Sequence, residues 1–566
     1  MLMERIYRGE FGPELMRVGL PRVDEAKVSM FVERYRDLLK DYPPGRLEAQ
    51  GSLPPDLLRE MGARGFFGLT IETEYGGRGL NLHEYLKVID EMVRLDLSVA
   101  FTFVAHLSIG IKAIQLLGTE EQKRKYLTRA ASGEMIFAYA LTEPHVGSDA
   151  QHIETTALRS SDDAHYLLNG QKTYITNANY AGGLTVFAQL DPEQPGFMGA
   201  FIVESGWEGV RVGKEMPKMG LRASSTAPIQ FKNVRVPRGN LIGRPGEGFK
   251  IAMSVLNYGR LGLGVASSSV MSISVKDMLE RASSRKQFQV PIASFQLIQE
   301  KIVRAEVGAS VASAMNRLVA AILHNQPLLP AAVETSHCKL FGTTRAWDAV
   351  YDALQVAGGA GYLKTLPYEK RMRDCRVTTV FEGTTEVHSF YPALLGIRQI
   401  MKALRESGRP RIALLLDLLK LLVKGEQWHV RFKNKQMLKA LREARRNAKA
   451  ARVLLLSGLL LYGGSIARGG TADREFLLRR ISALSLYTFG LLALLSEAGR
   501  KQEAGELAKE DLRIMEYFVA EAKEARRRNY RLFDSKKERL GSALFRNYLS
   551  PGRQGAKEHR GSGADK

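Results

Sequence analysis

The pattern of apolar residues changes twice along the chain, and this double change restricts the possible folds. In the first part, apolar residues recur at the spacing of one helical face, as in Phe31, Val32 and Tyr35. Strand-like runs such as Ile229–Val236 then replace the helical pattern, and helical spacing returns near Gly246. The sequence therefore predicts a mainly α protein with a small β domain in its middle.

Asn169 and Gly170 lie between two strand-like runs in the segment 165–176. An Asn-Gly pair favours the left-handed backbone that a two-residue hairpin turn requires. We therefore predict a β-hairpin that turns at these two residues. Pro237 follows the last predicted strand and ends it, because proline has no backbone N–H to donate to a sheet.

The chain has 566 residues, which is too long for a single hydrophobic core. The changes in pattern predict an extended N-terminal arm, a helical domain, a middle β domain, a second helical domain and a C-terminal helical extension. Their boundaries are residues 1–26, 27–138, 139–245, 246–405 and 406–566. Within the extension we expect a linker at Gly408–Pro410 and a leucine-rich helix at Ile412–Val423.

Two further apolar stretches of the extension, Val453–Ala467 and Ile481–Leu495, approach the length of a membrane span. Both are shorter than the roughly 20 residues that a spanning helix needs, so we expect buried core helices. The first ten residues carry charges where a signal peptide has an apolar region. We therefore expect no targeting peptide and a cytoplasmic protein, with peripheral contact to the inner membrane as a further expectation.

The formal net charge of +22 indicates an anionic partner, which is a nucleic acid, an anionic lipid surface or a polyphosphate ligand. A basic stripe at helical spacing comprises Lys435, Lys439, Arg442, Arg446 and Lys449. This basic stripe is either a solvated helix face or a surface that docks on anionic lipid. Because no aromatic-interleaved basic motif occurs, we expect no nucleic-acid partner.

Cys338 and Cys375 are the only cysteines, and their spacing matches neither a metal site nor a disulfide framework. We therefore expect two reduced thiols and no bound metal. The sequence also lacks a G-x-G-x-x-G fingerprint with a following acidic residue, so a dinucleotide-binding fold of that kind is not expected.

Glu382 stands in the segment Val380–Val387, where a glycine and two threonines follow it. A carboxylate removes a proton from carbon only if that proton is acidified and the base is desolvated. Two other motifs accompany it, the glycine-rich run Gln355–Gly361 and the segment Thr142–Asp149. Together the three motifs resemble the acyl-CoA dehydrogenase family, and the similarity extends from about Val28 to Arg398. The C-terminal extension is similar to the very-long-chain branch of that family.

The resemblance implies a helical N-domain, a β-barrel-like middle domain and a four-helix-bundle domain, followed here by the extra C-terminal helices. It also implies FAD as cofactor and α,β-dehydrogenation of an acyl-CoA thioester in fatty-acid β-oxidation. Glu382 would be the catalytic base and flavin N5 the hydride acceptor. Some family members carry the base on the helix that contains Gly259, and glycine cannot serve there.

The resemblance assigns binding residues as well. The implied cofactor contacts are Thr142, Ser148, Tyr174, Ile175, Thr176, Arg285, Gln287, Phe288, Gln296, Gln355, Gly358, Gly359, Thr384, Thr385 and Glu386. The implied substrate contacts are Ser148, Asn257, Arg260 and Gly383. Two positions depart from the family pattern: Gln289 replaces a usual glycine, and His388-Ser389 stand where an arginine is common.

By the same resemblance we expect an electron-transfer flavoprotein as electron acceptor. We also expect a homodimer or tetramer, since the segment near Arg285 grips FAD across a subunit interface in the family. Long-chain substrates are favoured because Asp96–Ala105 carries no large polar side chains that would plug an acyl channel, although Phe101 and Phe103 narrow it. Two alternatives stay open, namely a non-catalytic assembly or scaffold protein and an acyl-CoA oxidase that passes electrons to oxygen.

Overall fold

The computed structural model describes residues 2–11, 18–408, 432–467 and 474–549, together with Leu416, Lys420, Trp428 and Val430. The part before residue 135 is helical, as predicted. Its helices are α1 (Leu2–Tyr7), α2 (Glu25–Asp41), α3 (Pro44–Gln50), α4 (Pro55–Ala63), α5 (Leu82–Leu95), α6 (Leu97–Ala105), α7 (Lys112–Leu117), α8 (Glu120–Gln122) and α9 (Thr128–Ser132). Asp96 separates α5 from α6 because its backbone is extended and its carboxylate accepts a hydrogen bond from the Val99 N–H, which caps α6.

The first residues differ from the predicted extended arm. Leu2–Tyr7 form a short helix in which Leu2, Met3, Ile6 and Tyr7 are buried. The Met3 N–H donates to Glu334 Oε1 at 3.0 Å, which ties this helix to the second helical domain. Six residues are too short a window for helical periodicity to be recognised, so no sequence pattern predicts this helix.

The middle domain contains one eight-stranded sheet. Its strands are β1 (Ile136–Ala140), β2 (Thr156–Arg159), β3 (His165–Thr176), β4 (Ala181–Gln189), β5 (Met198–Glu204), β6 (Val210–Val212), β7 (Thr226–Pro237) and β8 (Leu241–Ile242). They lie in the order β6-β7-β3-β2-β4-β5-β8, and β1 pairs with β4 in parallel. The predicted end of β7 at Pro237 is confirmed.

The predicted hairpin turn at Asn169-Gly170 is wrong. Strand β3 passes through both residues without turning, and the register against β7 shifts between Leu168 and Gly170. Gly170 has φ +144°, and a Cβ there would lie 2.5 Å from Thr155 Oγ1. The glycine therefore accommodates an irregularity inside a long strand and a close neighbour, which Asn-Gly permits as readily as a turn. The actual turn precedes β3, where the Ser160 N–H donates to the His165 carbonyl.

The second helical domain follows, as predicted. Its elements are α10 (Gly248–Ser284), β9 (Lys286–Gln287), β10 (Val290–Pro291), α11 (Gln296–Asn325), α12 (Ala332–Ala357), α13 (Gly359–Tyr362), α14 (Tyr368–Arg376) and α15 (Thr385–Glu406). Helix α10 packs against α11 and α12 and also against α5 of the first domain. Because of this packing, α10 lies between the two helical domains and can carry residues of a site formed by both.

The extension forms α16 (Lys435–Ala467), α17 (Glu475–Glu503), α18 (Lys509–Asn529) and α19 (Lys536–Leu549). Helix α17 packs against α16, α15 and α11, so the extension continues the core of the second helical domain. The fold class expected from the sequence, a mainly α protein with a central sheet and additional C-terminal helices, is confirmed. The predicted helix at Ile412–Val423 and most of the predicted linker lie outside the described residues.

Three helical segments of the described chain are long and apolar enough to cross a membrane, Leu97–Leu117, Gln296–Asn325 and Glu475–Glu503. The third segment contains the apolar stretch Ile481–Leu495. Because the helix there extends beyond this stretch on both sides, the short length of the stretch does not exclude a membrane span. Between 78% and 83% of the residues in the apolar windows of these segments are buried inside the protein. Ile481–Leu495 is therefore part of a buried core helix in the folded chain, as the sequence predicted.

All five residues of the basic stripe are exposed on α16. Lys439 forms an ion pair with Glu516 at 3.2 Å, and Arg446 pairs with Glu443 at 3.5 Å. The opposite face of the helix is buried in the core through Met437, Leu441, Ala444 and Ala448. The apolar face of α16 thus packs against the protein itself, and contact of the basic stripe with lipid stays a prediction.

Candidate active site

Glu382 lies in the short loop between a 3₁₀ turn at Val377–Thr379 and the start of α15. Its φ angle is +56°, and that of Gly383 is +94°. A left-handed backbone costs a residue with a Cβ roughly 1–2 kcal/mol, whereas glycine adopts it freely. A strained non-glycine residue in a loop is a common mark of a functional position.

Three buried side chains hold the backbone of this loop. The Glu382 carbonyl accepts from His388 Nε2 at 2.8 Å and from Arg260 Nε at 3.4 Å. The Gly383 carbonyl accepts from Lys339 Nζ at 2.6 Å. These hydrogen bonds offset the backbone strain at Glu382, because two of the donors are cationic and charged donors make the stronger bonds.

The Glu382 carboxylate lies in an apolar environment. Its Oε2 atom is buried and, within the described chain, accepts no hydrogen bond. Burial raises the pKa of the Glu382 carboxyl to about 7, against the opposing attraction of Arg260 and Lys339. A carboxylate with a pKa near neutrality is a better base than an ordinary glutamate and is still partly ionised at neutral pH.

Helix α10 contributes two residues beside this carboxylate. A Cβ at Gly259 would lie 3.1 Å from the Glu382 carboxyl carbon and 2.9 Å from a methyl group of Ile109. The absence of a side chain at 259 therefore makes room for Glu382. Arg260 is buried, and its Nη1 atom has no hydrogen-bond partner among the described residues. An unpaired buried donor and an unpaired buried acceptor at one site mark a place for a polar group of a ligand.

A narrow apolar cavity extends from Glu382 between α5, α6 and α10. Val93, Phe101 and Leu263 are among its lining side chains. Phe101 stacks on Phe381 with ring centroids 5.3 Å apart and an angle of 9° between the planes. Since the lining is almost entirely hydrocarbon, the cavity suits an apolar chain whose reactive end meets the carboxylate.

The predicted contacts at the start of the β domain lie on its surface or close beneath it. Ser148 is exposed in a loop, and the Tyr174 side chain is 67% exposed with φ +57°. Thr142 and Thr176 are half-buried, and the Thr142 carbonyl accepts from the Thr173 N–H at 2.9 Å. Ile175 differs from the prediction, since its side chain is buried in the core of the sheet and leaves only its backbone for a ligand.

The end of β3 is linked to the neighbourhood of Glu382. Asn177, directly after β3, donates from Nδ2 to the Thr102 carbonyl of α6 at 2.8 Å. The preceding residue of α6 is Phe101, which stacks on Phe381 next to Glu382. The exposed surface around Tyr174 and Thr176 is therefore anchored to the helix that lines the apolar cavity.

A second set of predicted contacts lies at the far end of α10. Residues Arg285, Gln287, Phe288, Gln296, Gln355, Gly358 and Gly359 are all exposed. Arg281 Nη2 donates to the Ala357 carbonyl at 3.3 Å, which joins the end of α10 to the glycine turn. The fold brings these residues into one surface region, but no described contact joins that region to the surface around Tyr174 in the same chain.

Phe288 and Gln289 form the two-residue turn between β9 and β10, with φ values of +50° and +67°. Both values are those of a tight hairpin turn that favours glycine at its second position. Gln289 therefore adopts a left-handed backbone that glycine would adopt freely, at some cost in backbone strain. The Phe288 ring stands 89% exposed at the tip.

The remaining predicted residues surround the start of α15 and the middle of α10. Thr384 accepts from the His388 N–H through its carbonyl, and Thr385 Oγ1 donates to the Thr379 carbonyl. Glu386 is exposed. Asn257 is buried between α10 and α12, where its Oδ1 accepts from Thr335 Oγ1 at 3.0 Å. Its predicted contact with substrate is untested, and the contact it makes is one between helices.

Sequence reasoning missed Lys339, whose side chain reaches the Gly383 carbonyl from the interior of α12. Burial lowers the pKa of Lys339 to about 8. A lysine within a helical segment is ordinarily a surface residue, so the only available signal was its place on the apolar face of α12. In the sequence, His388 stands out only as a departure from the family pattern.

Comparisons with known proteins agree with this arrangement. Family models described as the N-terminal, middle and C-terminal domains of acyl-CoA dehydrogenase match residues 26–134, 138–234 and 246–389. The mitochondrial very long-chain specific acyl-CoA dehydrogenase of Homo sapiens is 34% identical over 508 residues, which cover 84% of this chain and 74% of that protein.

Two solved structures share the fold. The acyl-CoA dehydrogenase from Bacillus anthracis complexed with FAD has a TM-score of 0.78 and 26% identity, with 95% of each chain covered. The butyryl-CoA dehydrogenase from Megasphaera elsdenii has a TM-score of 0.60 and 31% identity, with 65% of this chain and 97% of that one covered. The chain belongs to the acyl-CoA dehydrogenase family.

Proposed function

We propose that the protein catalyses FAD-dependent α,β-dehydrogenation of long-chain acyl-CoA thioesters in fatty-acid β-oxidation, with Glu382 as the base. One observation carries the proposal: a carboxylate with a pKa raised to about 7 lies at the end of an apolar cavity, with Oε2 unpaired in the described chain. The family membership and the relatives that are named acyl-CoA dehydrogenases support the same reaction.

The residues present fit FAD. Around Tyr174 an exposed aromatic ring stands beside the hydroxyl of Thr176, which suits a flat heteroaromatic ring with polar edges. At the start of α13, Gly358 and Gly359 have open space where a Cβ would be, so their backbone can approach a phosphate closely. Arg285 is an exposed guanidinium suited to a pyrophosphate. Bound FAD would supply flavin N5 as the acceptor of the hydride that leaves the substrate Cβ.

The protein's own residues handle the proton. Glu382 takes the proton from the substrate Cα, and the apolar surroundings keep water away from its carboxylate. We assign the backbone N–H of Glu382 to the thioester oxygen, where negative charge develops as the proton leaves. The Arg260 guanidinium, buried next to the base, favours that negative charge. The apolar cavity orients the acyl chain, so that the Cα proton faces the carboxylate.

Long-chain specificity is part of the proposal. The apolar lining between α5, α6 and α10 supports it, as does the likeness over 84% of the chain to a protein named very long-chain specific. The stacked pair Phe101 and Phe381 limits the width of the cavity beside Glu382. An activity series over straight-chain acyl-CoA substrates should therefore peak at long chains, and a maximum at butyryl-CoA would overturn this part.

We further propose an electron-transfer flavoprotein as acceptor and a homodimer or tetramer in which Phe288 and Arg285 meet the cofactor of a second copy. The separation of the two exposed surfaces within one chain supports the second point.

Cytoplasmic location is proposed on the two buried, unpaired cysteines, which suit a reducing compartment. Sedimentation of the purified holoprotein with and without anionic vesicles tests both the oligomer and peripheral membrane contact.

Anaerobic addition of palmitoyl-CoA to the purified holoprotein tests the reaction itself. Bleaching of the oxidised flavin absorbance together with formation of trans-2-enoyl-CoA is expected. A protein that binds FAD but whose flavin stays oxidised with palmitoyl-CoA and with shorter acyl-CoA substrates would overturn the proposal.

A further inference from the structure

The carbonyl groups of Glu382 and Gly383 receive hydrogen bonds from three helices. His388 lies on α15, Lys339 on α12 and Arg260 on α10. Of the two donors to the Glu382 carbonyl, His388 Nε2 at 2.8 Å is much closer than Arg260 Nε at 3.4 Å. The imidazole therefore makes the main hydrogen bond to the peptide group of the residue that serves as base.

We propose that His388 is a positioning residue for the dehydrogenation, because its Nε2–H fixes the Glu382 carbonyl and thereby directs the Glu382 side chain at the substrate. This inference rests on the proposed function, in which Glu382 is the base. The carbonyl carbon and the side chain of Glu382 are bonded to the same Cα. A hydrogen bond that fixes the carbonyl of a left-handed residue therefore also fixes the direction of the Cα–Cβ bond from which its carboxylate extends.

The surroundings of the imidazole determine which nitrogen carries the proton. His388 is fully buried, and its Nδ1 has no hydrogen-bond partner in the described part of the chain. A neutral imidazole has one N–H, and the Glu382 carbonyl can only accept, so the proton is on Nε2. Burial, together with the nearby charges of Arg260 and Lys339, lowers the pKa of His388 well below its ordinary value. His388 therefore stays a neutral donor over the pH range in which Glu382 titrates.

Gly383 fits the same arrangement. A Cβ on Gly383 would lie 2.6 Å from His388 Nε2, so any other residue at 383 would displace the imidazole. The φ of +94° at Gly383 also favours glycine. The need for glycine after the base is thus explained in part by the approach of His388 to the loop.

A matched pair of variants separates positioning from packing. The glutamine of His388→Gln keeps an N–H donor at a reach similar to that of the imidazole. The methionine of His388→Met has the same side-chain length as glutamine but no donor. Each holoprotein is mixed anaerobically with palmitoyl-CoA, and the limiting rate of flavin reduction and the substrate dissociation constant are measured. Ser389→Ala is the control for changes at the start of α15, since Ser389 Oγ donates only to the Glu386 carbonyl in the described contacts.

We expect His388→Met to lower the limiting rate about 10- to 100-fold with little change in substrate affinity and FAD content. His388→Gln should recover most of the rate, and Ser389→Ala should keep it. Equal rates in the Met variant and the wild type would overturn the inference. So would equal losses in the Gln and Met variants, or failure of both to fold, because each of these outcomes assigns His388 to packing.

Glu382→Gln, measured in parallel, separates this inference from the function on which it rests. A large loss in Glu382→Gln with no loss in His388→Met would refute only the positioning role. Near-normal flavin reduction in Glu382→Gln would instead refute the proposed base, whatever the His388 variants do.

Discussion

Glu382 combines two features that cost stability, a left-handed backbone and a carboxylate in apolar surroundings. The sequence could suggest the residue, since glycine and two threonines follow it in a pattern shared with a family. It could not reveal the three donors to the loop, because Arg260, Lys339 and His388 come from separate helices. The contacts of Arg260 and Lys339 join segments distant in the sequence and leave no local pattern, and the contact of His388 depends on the left-handed backbone at Glu382.

The raised pKa of Glu382 predicts how the rate depends on pH. The carboxyl titrates near 7 instead of at its ordinary 4.5, and only the ionised form accepts a proton. The value of kcat/KM should therefore fall about tenfold per pH unit below 7 and level off above it. Steady-state assays between pH 5.5 and 8.5 measure this, and a profile that stays flat down to pH 5.5 would contradict the raised pKa.

The raised pKa of Glu382 also affects the free energy of unfolding, which changes with pH in the direction opposite to kcat/KM. Because the folded protein holds the Glu382 proton more tightly than the unfolded chain, the carboxyl favours folding at low pH. That contribution is lost as the pH rises from 4.5 through about 7. Comparison of wild type with Glu382→Gln isolates this effect, since the amide does not titrate.

Gly259→Ala tests the space beside the base. The new methyl group would lie 3.1 Å from the Glu382 carboxyl carbon and 2.9 Å from Ile109, which is tighter than normal packing allows. We expect the rate of flavin reduction to fall at least about tenfold, because small displacements of a catalytic group are costly. FAD content and the circular dichroism spectrum should stay unchanged. An unaltered rate would show that the carboxylate does not need its observed position.

Two elements illustrate where local patterns failed. Strand β3 contains Asn169-Gly170 and continues through it, since the pairing with β7 on one side and β2 on the other favours a long bulged strand over a turn. Helix α1 is too short to be recognised, and it forms because Leu2, Met3, Ile6 and Tyr7 are buried where α1 packs against α12, α15 and α16. In both cases tertiary contacts determine the local structure of the segment.

Helix α1 should contribute measurably to stability. Tyr7 is 1% exposed and packs against Gly396 of α15 and the core of the C-terminal helices. Tyr7→Ala should lower the free energy of unfolding by about 3 kcal/mol through lost burial and the remaining cavity. The urea midpoint measured by far-UV circular dichroism tests this, with the variant Glu10→Ala, at an exposed neighbouring position, expected to shift little. Equal midpoints in the two variants would refute the role of α1.

Helix α6 should influence substrate chain length through Phe101. Its ring lines the cavity and stacks on Phe381 at 5.3 Å, so Phe101→Ala removes a wall next to the base. We expect the maximum of kcat/KM to move to longer or bulkier acyl chains, with butyryl-CoA activity reduced because short chains lose contacts. Assays over an acyl-CoA series test this, and an unchanged chain-length profile would remove Phe101 from the specificity determinants.

At the scale of the whole molecule, the two changes in the pattern of apolar residues are the features that best predict the fold. The expected mainly α fold with a central sheet is confirmed, as is the resemblance to the acyl-CoA dehydrogenase family with additional C-terminal helices. The predicted binding residues form two separate exposed surfaces, around Tyr174 and around Phe288. The sequence suggested such a division only through the resemblance, which implies that the segment near Arg285 contacts FAD across a subunit interface, because spacing along one chain carries no information on a second copy.

The formal net charge of +22 is also a property of the whole molecule. The basic stripe on α16 is exposed, and its apolar back is part of the core. An extended positive surface attracts polyanions, and coenzyme A thioesters carry several negative charges. The overall charge is thus compatible with the proposed substrate without any nucleic-acid partner.

The rate of anaerobic flavin reduction by palmitoyl-CoA in Glu382→Gln tests the central claim most directly. The variant, loaded with FAD to the same extent as the wild type, should bind palmitoyl-CoA and reduce its flavin about 10²- to 10⁴-fold more slowly, because an amide cannot accept the Cα proton. Flavin reduction at a rate near that of the wild type would mean that another group removes the proton.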